Sequence, residues 1–454
     1  MRYFTLLLMC LSLTTMAQDS ENVNMLFNWF DDELPASNAH NNTYNEIWGY
    51  EDGGHEYAII GTTLGTHIFD VTDPGNSTEV QFIEGEVTGP QIVHRDYHDY
   101  AGYLYIVCDE GPSTLQIVDI QNLPGEANVV YDSSDLFTRS HNIFIDTDAG
   151  IMYSCGGSST FNVYDLADPT SPTLIVDCDE DVDFWSSTVG YVHDVYVEDG
   201  IAYCNAGDGF YIVDFSDPAN PVFLGSLTDY TDAGYNHSGW LHEDGQYYAM
   251  ADETHGMRIK ILDVSDPTDI QEVSFISSDV TAQSIAHNLI FEGDILHVSY
   301  YYDGYYAFDL SDPLNPTLMG FYDTSTEVND SQYEGAWGVY PFLSSGSILV
   351  SDMQEGLFIL DLDASTSVSN IENSTAVVYP NPLNEQSEIN LKGFDFYSNT
   401  GNFVLLDELG RTVQTGMVAF SNGTSQITMP PLGAGIYHLQ VMQGGENHHF
   451  QLIK

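Results

Sequence analysis

The 454-residue chain carries 8 Lys and Arg against 68 Asp and Glu, a formal net charge of -60. Such a surface repels phosphate backbones and anionic membranes, which argues against nucleic acid as a partner and makes cations the natural counterparts. With 43% hydrophobic residues the chain can bury a large core, and past its N-terminus no stretch is long and apolar enough for a membrane helix.

Residues 1–17 read as a signal peptide. Arg2 gives the positive end, residues 3–13 a short apolar run, and Thr15-Met16-Ala17 before Gln18 the small residues of a cleavage site. Cys10 lies inside the apolar run, which argues against a lipoprotein anchor. Export permits disulfides, and Cys108, Cys155, Cys178 and Cys204 remain after cleavage. Their spacing fits no zinc pattern. Three of them recur at one place in successive repeats, so they read as buried core residues in preference to bridges.

From residue 18 to residue 363 one phrase recurs: two short strands joined by an Asp- or Gly-rich turn, a Gly-containing loop, a third strand ending in Asp, then Ser-Asp-Pro. The marker aspartates are Asp70, Asp119, Asp165, Asp214, Asp263, Asp309 and Asp361, spaced 49, 46, 49, 49, 46 and 52 residues apart. Internal repeats of this length, with residues alternating as in half-buried strands, predict four antiparallel strands per copy and an all-β, seven-bladed β-propeller. The seventh copy lacks a fourth strand. Met25-Leu26-Phe27-Asn28-Trp29-Phe30 resembles the fourth strands of the others and is expected to complete it, pairing the chain ends and removing two sheet edges.

The repeats resemble LVIVD-repeat propellers, and more closely the choice-of-anchor B family. The residues that carry this are Leu115-Gln116-Ile117-Val118-Asp119, Tyr211-Ile212-Val213-Asp214 with Ser216-Asp217-Pro218, and Tyr44-Asn45-Glu46-Ile47-Trp48-Gly49-Tyr50. Asp266-Pro267-Thr268-Asp269 departs by lacking the second proline of the turn. The resemblance implies a fold and carries little biochemistry.

Residues 364–376, rich in Ser, Thr and Asn, read as a linker. Residues 377–454 alternate apolar and polar residues between Gly, Asn and Pro, as a small β-sandwich does. Tyr379-Pro380-Asn381-Pro382 at the start, Gly410-Arg411 in the middle, and Gly435-Ile436-Tyr437 with Lys454 at the end resemble the C-terminal sorting domain of type IX secretion substrates. That resemblance implies handling by the type IX secretion machinery, and an extracellular or outer-surface location.

In a propeller the first strand of each blade lines a central channel, and its start shares one face with the loop between strands two and three. Asn45, His94-Arg95-Asp96, His141-Asn142, His193-Asp194, His237-Ser238, His287-Asn288 and Trp337-Gly338 begin these strands. In blade 2, counting back from Gly102 puts Arg95 in place of His94 at the matching position. The loops add Asp109-Glu110 and Asp252-Glu253-Thr254-His255. Imidazoles and carboxylates suit a transition metal, and Arg95 an anionic group. The alternative is that the side chains hydrogen-bond backbone at the inner blade edges, as a demand repeated in every blade suggests.

Asp177, Asp179, Asp181 and Asp183, and the Asp146-Thr147-Asp148 turn, are candidate calcium ligands without the glycine and distal Glu of an EF-hand. Tyr300-Tyr301-Tyr302 with Tyr305-Tyr306 is expected to form an exposed aromatic cluster. No nucleophile elbow, phosphate loop or dinucleotide fingerprint occurs. The expected function is a secreted or surface-attached scaffold binding protein, glycan or a small ligand at the channel mouth. A metal-dependent enzyme and a calcium-stabilised structural or adhesive protein are the alternatives.

Overall fold

The computed structural model describes residues 19–327, 332–363, 377–379, 381, 383, 388–392, 400–407, 411–420, 424–433, 435–443 and 446–454. The expected signal peptide, the linker, Pro380, Pro382 and Gly410 lie outside the described residues. The chain divides into two compact units, Met1–Ala364 and Ser365–Lys454.

The described residues of the first unit form seven antiparallel sheets, numbered here by their first strands: Tyr44–Asp52, Arg95–Tyr100, Asn142–Asp146, Asp194–Glu198, Asn236–Leu241, Ala286–Glu292 and Ala336–Tyr340. Each of blades 1 to 6 adds three more strands in chain order. In blade 7 the outer strand is Val23–Trp29, paired antiparallel with Gly356–Leu362. Ser20–Glu21 adds a fifth strand to blade 6 by pairing with Thr317–Tyr322. First strands of consecutive blades lie against one another, and that of blade 7 lies against that of blade 1. The unit is a β-propeller.

Two local devices explain the repeat. Six of the seven marker aspartates end the third strand in an Asx turn, in which the carboxylate accepts the N–H two residues on: Asp70 from Thr72, Asp119 from Gln121, Asp165 from Ala167, Asp214 from Ser216, Asp263 from Ser265 and Asp309 from Ser311. A second Asx turn follows at Asp168, Asp217, Asp266 and Asp312. Asp266 makes it without the second proline.

In addition, every fourth strand skips one residue in its pairing with the third. The skipped residues are Val80, Val130, Ile175, Leu224, Val273, Met319 and, in the N-terminal strand of blade 7, Leu26. Such a bulge bends the outer strand and increases its twist.

The blades pack through apolar clusters such as Tyr153, Phe161, Trp185, Val195 and Phe215 between blades 3 and 4. Cys108, Cys155, Cys178 and Cys204 are buried and unbridged. Cys108 and Cys155 end their second strands, whereas Cys204 is one residue short of the end, so the three positions are near one another in the repeat without being equivalent. The expected exposed tyrosine cluster is a correction: Tyr300, Tyr301, Tyr302, Tyr305 and Tyr306 are all buried. Alternation puts Tyr300, Tyr305 and Tyr306 between blades, and Tyr301 and Tyr302, in the turn, pack with Trp337 and Met353; burial of so much aromatic area outweighs its display.

The second unit has a three-stranded sheet, Val377–Tyr379, Glu388–Lys392 and Thr424–Thr428, and a four-stranded sheet of Thr412–Ala419, Thr400–Asp407, Ile436–Gln443 and Glu446–Ile453. Ile389, Leu391, Phe403, Leu405, Ile427, Leu439 and Leu452 form its core. The motif residues tie its two ends together. Asn381 Oδ1 accepts the Ile453 N–H (3.0 Å), Gly435 and Lys454 exchange backbone hydrogen bonds, and the Tyr437 hydroxyl donates to the Gly433 carbonyl. Tyr379 ends the first strand, exposed.

Candidate functional site

The first strands converge on the channel in three layers. At their starts, six rings form a closed circuit: His94, His141, His193, His237, His287 and Trp337, with consecutive centroids 4.1–4.5 Å apart and Trp337 5.4 Å from His94. His94 thus holds the matching position in blade 2. Arg95 is turned away, buried, donating to the Thr62 and Val87 carbonyls (2.9 and 2.7 Å). The anion-binding expectation for Arg95 is therefore corrected: its guanidinium latches blade 2 to blade 1 and packs against Gly85, where a Cβ would lie 2.5 Å from it.

Most ring imidazoles are latched to the next blade. His94 Nε2 donates to the His141 carbonyl (2.9 Å), His193 Nδ1 to the His237 carbonyl (3.3 Å), and His287 Nδ1 to the Trp337 carbonyl (2.6 Å). His141 instead donates to Asp109 (2.9 Å), which also lies 3.9 Å from Arg139. Burial, reinforced by the neighbouring imidazoles, pushes His94 down to about 3 and His193, His237 and His287 well below their usual range. These imidazoles are neutral.

One residue along the strands, two in blade 2, lies a polar layer of Glu46, Asp96, Asn142, Asp194, Ser238 and Asn288, lining a cavity of about 70 Å³. Asp96 accepts the Ile143 N–H (2.7 Å), Asp194 the Asn142 amide (2.9 Å), and Glu46 the Asn288 amide (2.8 Å). Blade 7 contributes Gly338 here, because a Cβ would sit 1.9 Å from a Glu46 oxygen. Burial, with the Asp194 charge adding to it, pushes Glu46 up to about 7. Burial likewise raises Asp194 to about 6 and Asp96 well above the carboxylate range. Asp96 and Asp194, expected beside the histidines, belong to this inner layer, two residues after His94 and one after His193.

About 10 Å beyond the histidines, at 3.3 Å per strand residue, a second closed circuit of rings underlies the cavity. Its members are Trp48, His98, Phe144, Tyr196, Trp240, Phe342 and Tyr340, with neighbouring centroids 4.6–6.0 Å apart.

The mouth is the histidine layer and the loops around it. Asp109 and Glu110 line a surface groove of about 660 Å³ with Thr138 and Arg139. The His141 hydrogen bond and charge hold Asp109 low against the effect of burial, whereas burial raises Glu110. Glu253 accepts from the Tyr301 hydroxyl (2.5 Å) and lies 3.9 Å from His237 Nε2. Burial raises its carboxyl despite that hydrogen bond.

His255 bonds the Gln283 carbonyl and packs against Tyr333. Asp252, three residues earlier, faces the blade interior, fully buried, 2.5 Å from Lys260 and hydrogen-bonded by Tyr230. Tyr191 and Tyr235, 42% and 38% exposed, stand over His193. Neither was singled out from sequence, though each precedes a ring histidine by two residues.

Away from the channel, Asp177 and Asp179 accept hydrogen bonds from Ser159, and Asp179 also from Thr160. Asp181 accepts the Asp177 N–H. Asp177 also caps the short helix Cys178–Asp181. Asp146 accepts the Ala149 N–H in its turn.

Residues 189–229 and 288–324 match the LVIVD repeat. Residues 377–454 match the secretion system C-terminal sorting domain. The fold is similar to a crystal structure of the Cps50 (Swd1) β-propeller domain of Myceliophteria thermophila, 11% identical, with a TM-score of 0.50 over 74% of this chain and 98% of that one. No curated protein matches the chain. The protein thus joins LVIVD repeats in a β-propeller to a sorting domain that directs export by type IX secretion to the cell surface or beyond. Among the described residues no helix is long and apolar enough to cross a membrane.

Proposed function

We propose that the protein is a secreted or surface-displayed binding scaffold whose ligand, a sugar ring of a glycan, sits at the channel mouth. The observation that carries this is the pairing of exposed Tyr191 and Tyr235 with a floor of neutral imidazoles, flanked by the acceptors Asp109 and Glu253. Aromatic faces stack on an uncharged ring, and a few placed carboxylates orient its hydroxyls. A net charge of -60 disfavours anionic ligands. The same reading takes 1–17 as the export leader, 18–363 as the scaffold, 364–376 as the segment where the sorting domain is cut off, and 377–454 as that domain.

The test is a glycan screen with the full chain, followed by affinity measurement. Tyr235→Ala and Tyr191→Ala each weaken the best glycan about tenfold, a stacking contribution of about 1.4 kcal/mol, while Tyr379→Ala in the sorting domain leaves it unchanged. Equal binding by all three variants rules the mouth out.

A further inference from the structure

Blade 5 breaks the ring's pattern. His237 lies beside the His287 carbonyl, yet its Nδ1 is buried without a formed hydrogen bond. The hydroxyl of the following residue, Ser238, already donates to that carbonyl at 2.5 Å. His287 has its proton fixed on Nδ1 by the Trp337 carbonyl, which leaves Nε2 a free lone pair. Glu253, in the loop after strand Tyr247–Asp252, spends Oε1 on the Tyr301 hydroxyl and turns Oε2 to His237 Nε2. One ligand atom from each of His237, Glu253 and His287 falls within 4.8 Å of the others, and among the described residues no other such trio of His, Cys, Asp and Glu occurs.

We infer that His237, Glu253 and His287 bind a divalent transition-metal ion, Zn²⁺ first, in the floor of the channel mouth. Two imidazoles and one carboxylate are the donor set of zinc and non-haem iron(II) sites, whereas calcium and magnesium take oxygen ligands. The outer contacts are those of a metal site: a backbone carbonyl holds the His287 tautomer, and a tyrosine hydroxyl holds the carboxylate. Metal–ligand bonds of about 2.0–2.2 Å draw the three atoms closer than they stand. Glu253, on a loop and one-fifth exposed, is the least enclosed of the three. Three protein ligands leave a position toward the mouth for an oxygen of the bound ligand. This last point rests on the mouth being the ligand site; metal binding itself does not.

The experiment uses the full chain, stripped with chelator and desalted, titrated with Zn²⁺ by calorimetry and with Co²⁺ by visible absorption. One equivalent of each, with the ligand-field bands of nitrogen-coordinated cobalt, is expected. Glu253→Gln and His287→Gln abolish the bands, Tyr301→Phe weakens Zn²⁺ about tenfold, and His55→Gln on blade 1 changes nothing. Glu253→Gln alters a partly exposed loop side chain, and an unchanged melting temperature shows that it folds. No stoichiometric uptake by the native chain, or uptake undiminished in Glu253→Gln, overturns the site. Glycan affinity of the metal-free chain separates the two claims. Sugar bound without metal uptake leaves the mouth standing and removes the metal, and metal uptake without sugar binding does the reverse.

Discussion

The two sides of the histidine ring place the same residue at the same point of the repeat and use it differently. On the side of blades 2 to 4, His94 and His193 hydrogen-bond the carbonyl of the next blade and His141 pairs with Asp109. On the side of blades 5 and 6, His287 keeps its latch to the Trp337 carbonyl, but Ser238 takes over the His287 carbonyl, His237 has no formed latch, and Glu253 and Tyr301 close in. What every blade needs, a polar link between first strands, is repeated. What the molecule needs once is found where the repeat is broken. The same contrast separates the six Asx-turn aspartates from Lys260, a buried cation paired with Asp252.

Lys260→Met tests the broken positions most severely. It leaves Asp252 buried without its ion partner, and a loss of about 3–5 kcal/mol in denaturant unfolding is expected. A loss below 1 kcal/mol means that the pair adds little.

The next largest effect separates the inner carboxylates from the imidazoles above them. The Glu46 carboxyl rises from 4.5 to about 7 on folding. The folded chain therefore keeps a proton that the unfolded chain has lost, and this contribution is present below about 4.5 and disappears as pH rises to about 7. The buried histidines have the opposite sign: their contribution is present above about 6.5 and is lost as pH falls, for His94 toward about 3. The two trends offset in the native protein. Glu46→Gln exposes one of them, gaining stability relative to native by about 3 kcal/mol between pH 4 and pH 8. Parallel stability curves show that Glu46 is not held protonated.

The smallest effect sharpens the comparison within the ring. His94→Ala removes a latched imidazole and costs about 2–3 kcal/mol, while His237→Ala, with no formed latch, costs about 1 kcal/mol less. Equal losses in urea unfolding show that the ring is uniform and the distinction void.

The blades were legible in the sequence because their punctuation is chemical: an Asx turn demands Asp or Asn at a fixed place, so Asp70 to Asp309 mark strand ends. The ring histidines were legible because each opens a first strand. Their layer was not fully so. Blade 2 holds one residue more between ring and hairpin than blade 4, and alternation of side chains does not say which way Arg95 turns. Only its hydrogen bonds to blade 1 do. Asp252 and Glu253 read as one acidic pair, but Asp252 ends a strand facing Lys260 and Glu253 begins the loop at the mouth. Glu46 went unnoticed beside Asn45, although it follows Asn45 as Asp194 follows His193. The recurring bulge in the fourth strands leaves no mark in composition and appears only in the register.

The most direct measurement is nitrogen NMR of the full chain with labelled histidine, recorded from pH 5 to pH 8 and then with one equivalent of Zn²⁺. The expected spectra hold His94, His193, His237 and His287 neutral throughout, with His237 and His287 alone shifting on addition of the metal. Zinc-induced shifts spread over all the ring histidines, or absent from His237 and His287, contradict the assignment of binding to His237, Glu253 and His287.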